Sequence, residues 1–194
     1  MDILIAGVGG QGIILASRAL AAAAVAAGLP VRTAETIGMA QREGSVVSHV
    51  RLGVQEAGPL IPAGSAAILL ALEPAEGCRH LRYLQPGGRA LVAIDPVVPV
   101  MAALGKSPYP LAEILSYLQS NLAGCHCLAA LDLARQAGSP RTLNLVMLGA
   151  LTNLGLPFPA DLLLAQALKL LPARVHTMNR RAFELGRSSG GAKK

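Results

Sequence analysis

Gly7, Gly9 and Gly12 fall in the pattern G-x-G-x-x-G, directly after the apolar run Ile3–Ala6 and before an alanine-rich segment. Glycines at such a junction permit a tight turn and let a ligand approach the main chain. The N–H groups of Gln11, Gly12 and Ile13 would open from a helix N-terminus, which favours an anion. Glu35 lies 23 residues after Gly12, where a dinucleotide-binding fold carries its ribose-binding acid. Three readings stay open on these residues: a dinucleotide site, a site for another anion or cofactor phosphate, and a turn that needs glycine only for packing.

A second polar stretch follows. Gln41, Arg42 and Ser45 stand near a backbone bend around Gly38 and Gly44, and can donate hydrogen bonds to a carboxylate, a phosphate or a partner's main chain. A dinucleotide domain has no need of this segment. Arg42 and Arg51 suit either an anion or ordinary ion pairs. His49 alternates with valines, which fits a packed or partner-facing histidine better than a general base. Cys125-His126-Cys127 places two thiols on one face of a strand and the imidazole on the other. One face then offers two metal ligands where zinc wants four, so buried core thiols are the better expectation and no metal site is assigned. Asn144 reads as a helix cap, and Gln11 as either a ligand contact or a backbone brace.

The elements that must position these residues alternate along the chain. Ile3–Ala6 reads as a buried central strand, Ile13–Ala27 as a helix, and Val31–Glu35 as a second strand, together a βαβ unit with a right-handed crossover. Ser45–Leu52 is rich in β-branched residues and reads as a strand with a hairpin partner in Val54–Leu60 across Gly53. Further strands are expected at Ala66–Leu72, Arg89–Ile94, Val97–Met101 and Cys125–Leu128. Helices are expected at Pro74–Leu84, Pro110–Leu122, Asp132–Ala137, Leu143–Leu154, Ala160–Leu170 and Met178–Gly186. The pattern is a Rossmann-like three-layer α/β/α domain with a mixed, mostly parallel sheet, one domain over residues 1–187 and a disordered tail over 188–194.

Composition narrows the class. The 194 residues are 53% hydrophobic and 14% charged, with a formal charge of +6, against the usual ~25% charged. So few charges leave a lone monomer poorly solvated, and imply surface buried against another chain. The basic residues are scattered and aromatics make up 3%, which argues against nucleic acid. The longest apolar stretch, Ala19–Ala27, is far short of the ~20 residues of a membrane span. The N-terminus lacks the basic region of a secretory signal, so a cytoplasmic location is expected.

Val8-Gly9-Gly10-Gln11-Gly12, followed by Glu35-Thr36 and by Gln41-Arg42-x-Gly44-Ser45-Val46-Val47-Ser48-His49-Val50-Arg51, closely resembles the gamma-type domain of 2-oxoacid:ferredoxin oxidoreductases. The nearest look is that of the small (beta) subunits of the indolepyruvate type. Tyr109-Pro110, Arg141-x-x-Asn144, Met147-Leu148-Gly149-Ala150 and Asn179-x-x-Ala182-Phe183-x-x-Gly186 extend the likeness over about residues 1–187. Where the family often has Gly-Gly after the Gln-Arg pair, this chain has Glu43-Gly44, which stiffens the loop and sets a negative charge beside Arg42.

The resemblance implies the fold of domain III of pyruvate:ferredoxin oxidoreductase. It implies CoA-dependent oxidative decarboxylation of a 2-oxoacid such as indolepyruvate, with electrons passed to ferredoxin. Thiamine diphosphate and iron–sulfur clusters would sit mainly on a large (alpha) subunit, the small subunit would complete the assembly, and magnesium and coenzyme A would belong to the assembled enzyme. Gly9, Gly10, Gln11 and Gly12 would bind cofactor, and Gly38, Gln41, Arg42, Gly44 and Ser45 would face substrate or partner. Three cysteines cannot hold a four-cysteine cluster, and no thiamine motif is visible, so the chain alone should be inactive and hold no cofactor. The competing readings are a stand-alone dinucleotide-binding oxidoreductase, which predicts NADH binding, and a pure scaffold.

Overall fold

Strand β1 (Asp2–Val8) runs through the middle of the molecule, with Ile3–Ala6 fully buried. Burial of both strand faces requires helices on both sides of the sheet. The computed structural model describes residues 1–37, 44–122 and 124–189. Among these, the strands form one sheet in the order β2-β3-β1-β4-β5-β6. Its other members are β2 (Val31–Ile37), β3 (Ser45–Leu52), β4 (Ala66–Ala71), β5 (Leu84–Ala93) and β6 (Cys125–Leu128). β1, β4, β5 and β6 are parallel neighbours, whereas β3 is antiparallel to both β1 and β2. The sheet is therefore mixed and mostly parallel, as the alternation of elements predicts.

Two cores flank it. On one face lie α1 (Ile13–Ala26), α5 (Ala130–Ala137), α6 (Leu143–Leu151), α7 (Ala160–Lys169) and α8 (His176–Ser189). On the other lie α2 (Pro74–His80) and α4 (Leu111–Asn121), over Leu4, Ala6 and Leu69. The alanine face of α1 packs within the chain, against β3 and α7. All residues of α6 are buried, and α8 covers it. The contact is backbone to backbone. A Cβ added at Gly149 would fall 2.0 Å from the Phe183 carbonyl oxygen, and one at Gly186 would fall 1.9 Å from that of Val146.

Five expectations need correction. β3 does not pair with Val54–Leu60, because β2 and β1 already occupy both its edges. Segment 54–60 is held by side chains instead: Arg51 donates to the Gly58 carbonyl at 2.9 Å, and the Ile61 N–H donates to His49 Nδ1 at 3.1 Å. β2 is consequently not β1's neighbour. Val97–Met101 is not a strand, since β6 already lies alongside β5. Its end enters a one-turn helix, α3 (Val100–Ala103), opened by Pro99. Strand β5 begins at Leu84 and absorbs Gln85–Gly88 as an irregularity, its register jumping from Leu84 opposite Ala66 to Arg89 opposite Ile68. Helix α8 runs to Ser189, past the start of the expected tail.

Candidate functional site

The site is assembled at the carboxyl edge of β1, β4 and β5. After β1 the chain crosses to the α1 face, and after β4 to the α2 face. Adjacent parallel strands whose connections diverge in this way open a crevice between them, the usual seat of a ligand in α/β sheets.

The glycine turn forms one wall. Gly10 and Gly12 have φ of 93° and 84°. Gly12 is the N-cap of α1, and no side chain caps that end. No acidic residue stands in the first turn either, so the partial positive charge of the α1 N-terminus is not offset there by the helix's own side chains. Gly12 also permits a close approach: an added Cβ would fall 2.2 Å from Asn144 Nδ2. Asn144 is not the expected cap: the N-cap of α6 is Thr142, and Asn144, inside the first turn, bridges α6 to the glycine turn. Its Nδ2 lies 3.5 Å from the Gly12 carbonyl, and its Oδ1 accepts from the Leu145 N–H.

Gln11 braces the turn. The Val8 N–H donates to its Oε1 at 2.8 Å, and its Nε2 donates to the Leu72 carbonyl at 2.8 Å. The amide ties the ends of β1 and β4 together, and the Gln11 N–H itself donates to the Val8 carbonyl at 3.2 Å, so this residue braces the turn through side chain and main chain alike. The Gly9 N–H donates to the Gly44 carbonyl at 2.9 Å, which joins the glycine turn to the start of β3. Ser45 Oγ then donates to Glu76 Oε2 at 2.6 Å. Of the expected loop residues, Gly44 and Ser45 thus meet the glycine turn, while Gly38, Gln41 and Arg42 lie outside the described residues.

Glu73 and Glu76 are the residues that sequence reasoning missed. Both are 1% exposed. Glu73 caps α2, its Oε2 accepting from the Glu76 N–H at 2.8 Å, and the Tyr109 hydroxyl donates to its other oxygen. Burial, and then the bond to Glu73, push the Tyr109 phenol well above its usual range. Glu76 gathers Ser45, Arg79 and His80. The available signal was Glu73-Pro74-x-Glu76, a cap with proline at the first helical position.

A cavity of about 270 Å³ sits beside the turn, lined by Gly10, Gln11, Asp95, Leu131, Arg141 and Leu143. Asp95 Oδ2 accepts from the Leu131 N–H at 2.8 Å, which caps α5. The Arg141 guanidinium makes no ion pair among the described residues and is the cation available at the rim. This volume lies below the ~300–1,000 Å³ of pockets that enclose drug-sized ligands, so it suits one end of a ligand rather than a dinucleotide.

Other expected residues are placed elsewhere. With β3 between β2 and β1, Glu35 stands two strand spacings from β1, about 10 Å, too far to serve a ribose at the glycine turn. Arg51 clamps Asp2 through bonds of 3.1 and 3.0 Å at the opposite edge of the sheet. His49 is buried beneath the Tyr83 ring, and burial, then His80 and Arg51, lower its pKa. Cys125 and Cys127 share a face, as expected, but are half-buried rather than core thiols, because β6 is an edge strand. No group of three or more potential metal ligands occurs among the described residues.

Comparison with known proteins agrees with this architecture. Residues 2–189 match the model of the family described as pyruvate ferredoxin/flavodoxin oxidoreductase. The chain is 38% identical over 188 residues to the indolepyruvate oxidoreductase subunit IorB of Thermococcus kodakarensis, covering 95% of this chain and 93% of that one. The fold is shared with the gamma subunit of a keto/oxoacid ferredoxin oxidoreductase from Geobacter sulfurreducens, with TM-score 0.71, 24% identity and 97% of each chain covered. It is also shared with a 2-oxoglutarate:ferredoxin oxidoreductase from Magnetococcus marinus, whose structure has 2-oxoglutarate, coenzyme A and succinyl-CoA bound. There the TM-score is 0.72 and the identity 22%, over all of this chain and 31% of that one. The chain is a member of the pyruvate ferredoxin/flavodoxin oxidoreductase family.

Proposed function

We propose that this chain is the small subunit of an indolepyruvate-type 2-oxoacid:ferredoxin oxidoreductase, which completes the site where the acyl group reaches coenzyme A. The observation that carries this reading is the 38% identity to subunit IorB along nearly the whole chain. The residues present support a division of the chemistry between subunits. The three cysteines do not form a cluster-binding group, so iron–sulfur clusters fall to a larger subunit. The cavity's one carboxylate, Asp95, is already committed to capping α5, which leaves no ligand here for the magnesium of thiamine diphosphate, and that cofactor is assigned to the larger subunit.

The residues fit one anionic end of coenzyme A: an uncapped helix N-terminus in the glycine turn and, across the cavity, Arg141, a cation with no ion pair among the described residues. Bound there, coenzyme A would supply the thiol that accepts the acyl group. The chain's own task is to hold it. The N–H groups of Gly12 and Ile13 orient an anion, Arg141 balances its charge, and Leu131 and Leu143 exclude water from that wall. Gly9, Gly10, Gln11 and Gly12 form this cradle. Gly38, Gln41, Arg42, Gly44 and Ser45 face the substrate or the large subunit, and ferredoxin meets the assembled complex rather than this chain.

No helix among the described residues is long and apolar enough to cross a membrane. The free cysteines suit a reducing cytoplasm.

Affinity capture of the tagged chain from its native cells tests the assignment. A larger, cluster-bearing subunit is expected, and the complex should reduce a viologen with indolepyruvate, thiamine diphosphate and coenzyme A. Arg42→Ala and Arg141→Ala should each lower turnover about tenfold or more with the complex intact, the scale of one lost charge-assisted contact. The Arg141 variant should raise the KM for coenzyme A. Recovery of the chain alone, binding NADH, would overturn the assignment.

A further inference from the structure

Two of the three cysteines stand together at a place the proposed activity does not use. Cys125 and Cys127 are the first and third residues of β6, and their Sγ atoms lie 3.9 Å apart on one face of the strand. The exposed His126 takes the other face. Both thiols are half-buried, at the edge of the sheet, where β6 is bound on one side only, by β5.

The two sulfurs are not equivalent. Hydrogen bonding from Cys125, against the effect of burial and with help from Gln119, lowers the Cys127 pKa. The same contact, with burial, raises that of Cys125. The 3.9 Å contact lets one thiol keep its proton while the other ionises beside it, the arrangement of an attacking and a resolving thiol.

The strand sets the character of the bond they could form. Alternate residues of a strand lie about 6.6 Å apart at Cα, near the upper limit of ~6.8 Å for a disulfide. A bond between them is therefore strained and easily reduced. A four-residue edge strand can yield to it, since only one ladder has to shift. Cys78 does not compete from its own position, because its thiol is directed to the Ile114 carbonyl at 3.7 Å.

We propose that Cys125 and Cys127 form a thiol–disulfide exchange site on β6 that takes low-molecular-weight disulfides as its oxidant. The Cys127 thiolate attacks one sulfur of the external disulfide, whose S–S bond breaks and whose other half leaves as a thiol after taking a proton. Cys125 then attacks the Cys127 sulfur of the mixed disulfide, gives up its proton and releases the second thiol. Two electrons pass from the protein pair to the external disulfide, which becomes two thiols, and the protein gains one S–S bond.

The full chain, reduced and then equilibrated in glutathione buffers of graded ratio, tests this after quenching with N-ethylmaleimide and tryptic digestion. Cleavage after Lys106 and Arg135 leaves both cysteines in one peptide, 107–135, and Cys78 in another, 52–79. The expected result is paired loss of two alkylation sites within peptide 107–135, reversed by excess reduced glutathione, with Cys78 still alkylated. Cys125→Ala should trap a glutathione adduct on Cys127, and Cys127→Ala should slow adduct formation about tenfold or more. Full alkylation of both thiols at every ratio would overturn the proposal. So would a cross-link from Cys78, or equal adduct formation at Cys125 and Cys127 in the single variants. The wild-type peptide readout stands even where a variant folds poorly.

Discussion

A carboxylate removed from water must find its partners inside the protein. Glu73 and Glu76 do so by tying loops to the site: Glu73 joins α2 to Tyr109, and Glu76 joins Ser45 to α2. Committed in this way they fix the crevice and are not free acids or bases. His49 shows the same logic with a measurable consequence. Its Nδ1 accepts from the Ile61 N–H, so that nitrogen must stay unprotonated. His80, Arg51 and the Tyr83 ring face it, Asp2 neutralises Arg51, and Glu76 lies beside His80. Its folded pKa is lowered below 6.5. Below that pH the unfolded chain binds more protons than the folded one, so stability rises with pH there and is lost as pH falls. Urea midpoints of the wild type should decline between pH 7.5 and 5.5. Those of His49→Gln, though lower throughout, should decline less. Parallel declines would place the titration elsewhere.

At the scale of elements, the most demanding contact is the crossing of α6 and α8. Gly149 and Gly186 let the two backbones touch, and a methyl group at either position would overlap a carbonyl oxygen. Overpacking against backbone cannot be relieved by a rotamer change, so Gly149→Ala or Gly186→Ala should each cost about 3 kcal/mol. That corresponds to roughly 6–12 °C in Tm for a chain of this size. Gly58→Ala, which meets nothing within 4 Å, should stay within about 2 °C. Calorimetry of the three variants checks this, and a mild effect at both helical glycines would mean the helices can slide apart. The motif around these glycines was visible in the sequence, but its reason was not, because the two halves of the contact lie far apart in the chain. The same distinction holds elsewhere. β1, α1 and β4 were legible, since apolar runs bounded by glycine and proline carry their own local signals. The insertion of β3 between β1 and β2 was not, because pairings such as Asp2 with Arg51 and Val31 with Leu52 are long-range choices no local pattern encodes. The glycine turn was legible as a turn. The brace by Gln11 depended on Leu72, 61 positions away, and the buried carboxylates on Ser45 and Tyr109, 31 and 36 positions away.

The whole molecule carries too little charge to be solvated evenly, and its exposed apolar residues are not evenly spread. Val98, Val100, Met101 and Leu104 are 46%, 57%, 53% and 63% exposed, all on the connection through α3 that follows β5. Val97, at the start of this segment, lines the cavity beside the glycine turn. An apolar patch continuous with the crevice is what a subunit needs when its site is closed by a partner, because burying the patch and completing the site are then one event. Charges placed there should separate assembly from folding. Met101→Asp with Leu104→Asp removes two exposed side chains from the patch and disturbs no buried contact. The Tm of the isolated chain should move by less than about 2 °C, while recovery of the large subunit in affinity capture should fall about tenfold or more, since burying an unpaired carboxylate in an interface is costly. Full recovery of the large subunit by the double variant would mean that the partner covers another face. The crevice would then be open on the α3 side in the assembled enzyme.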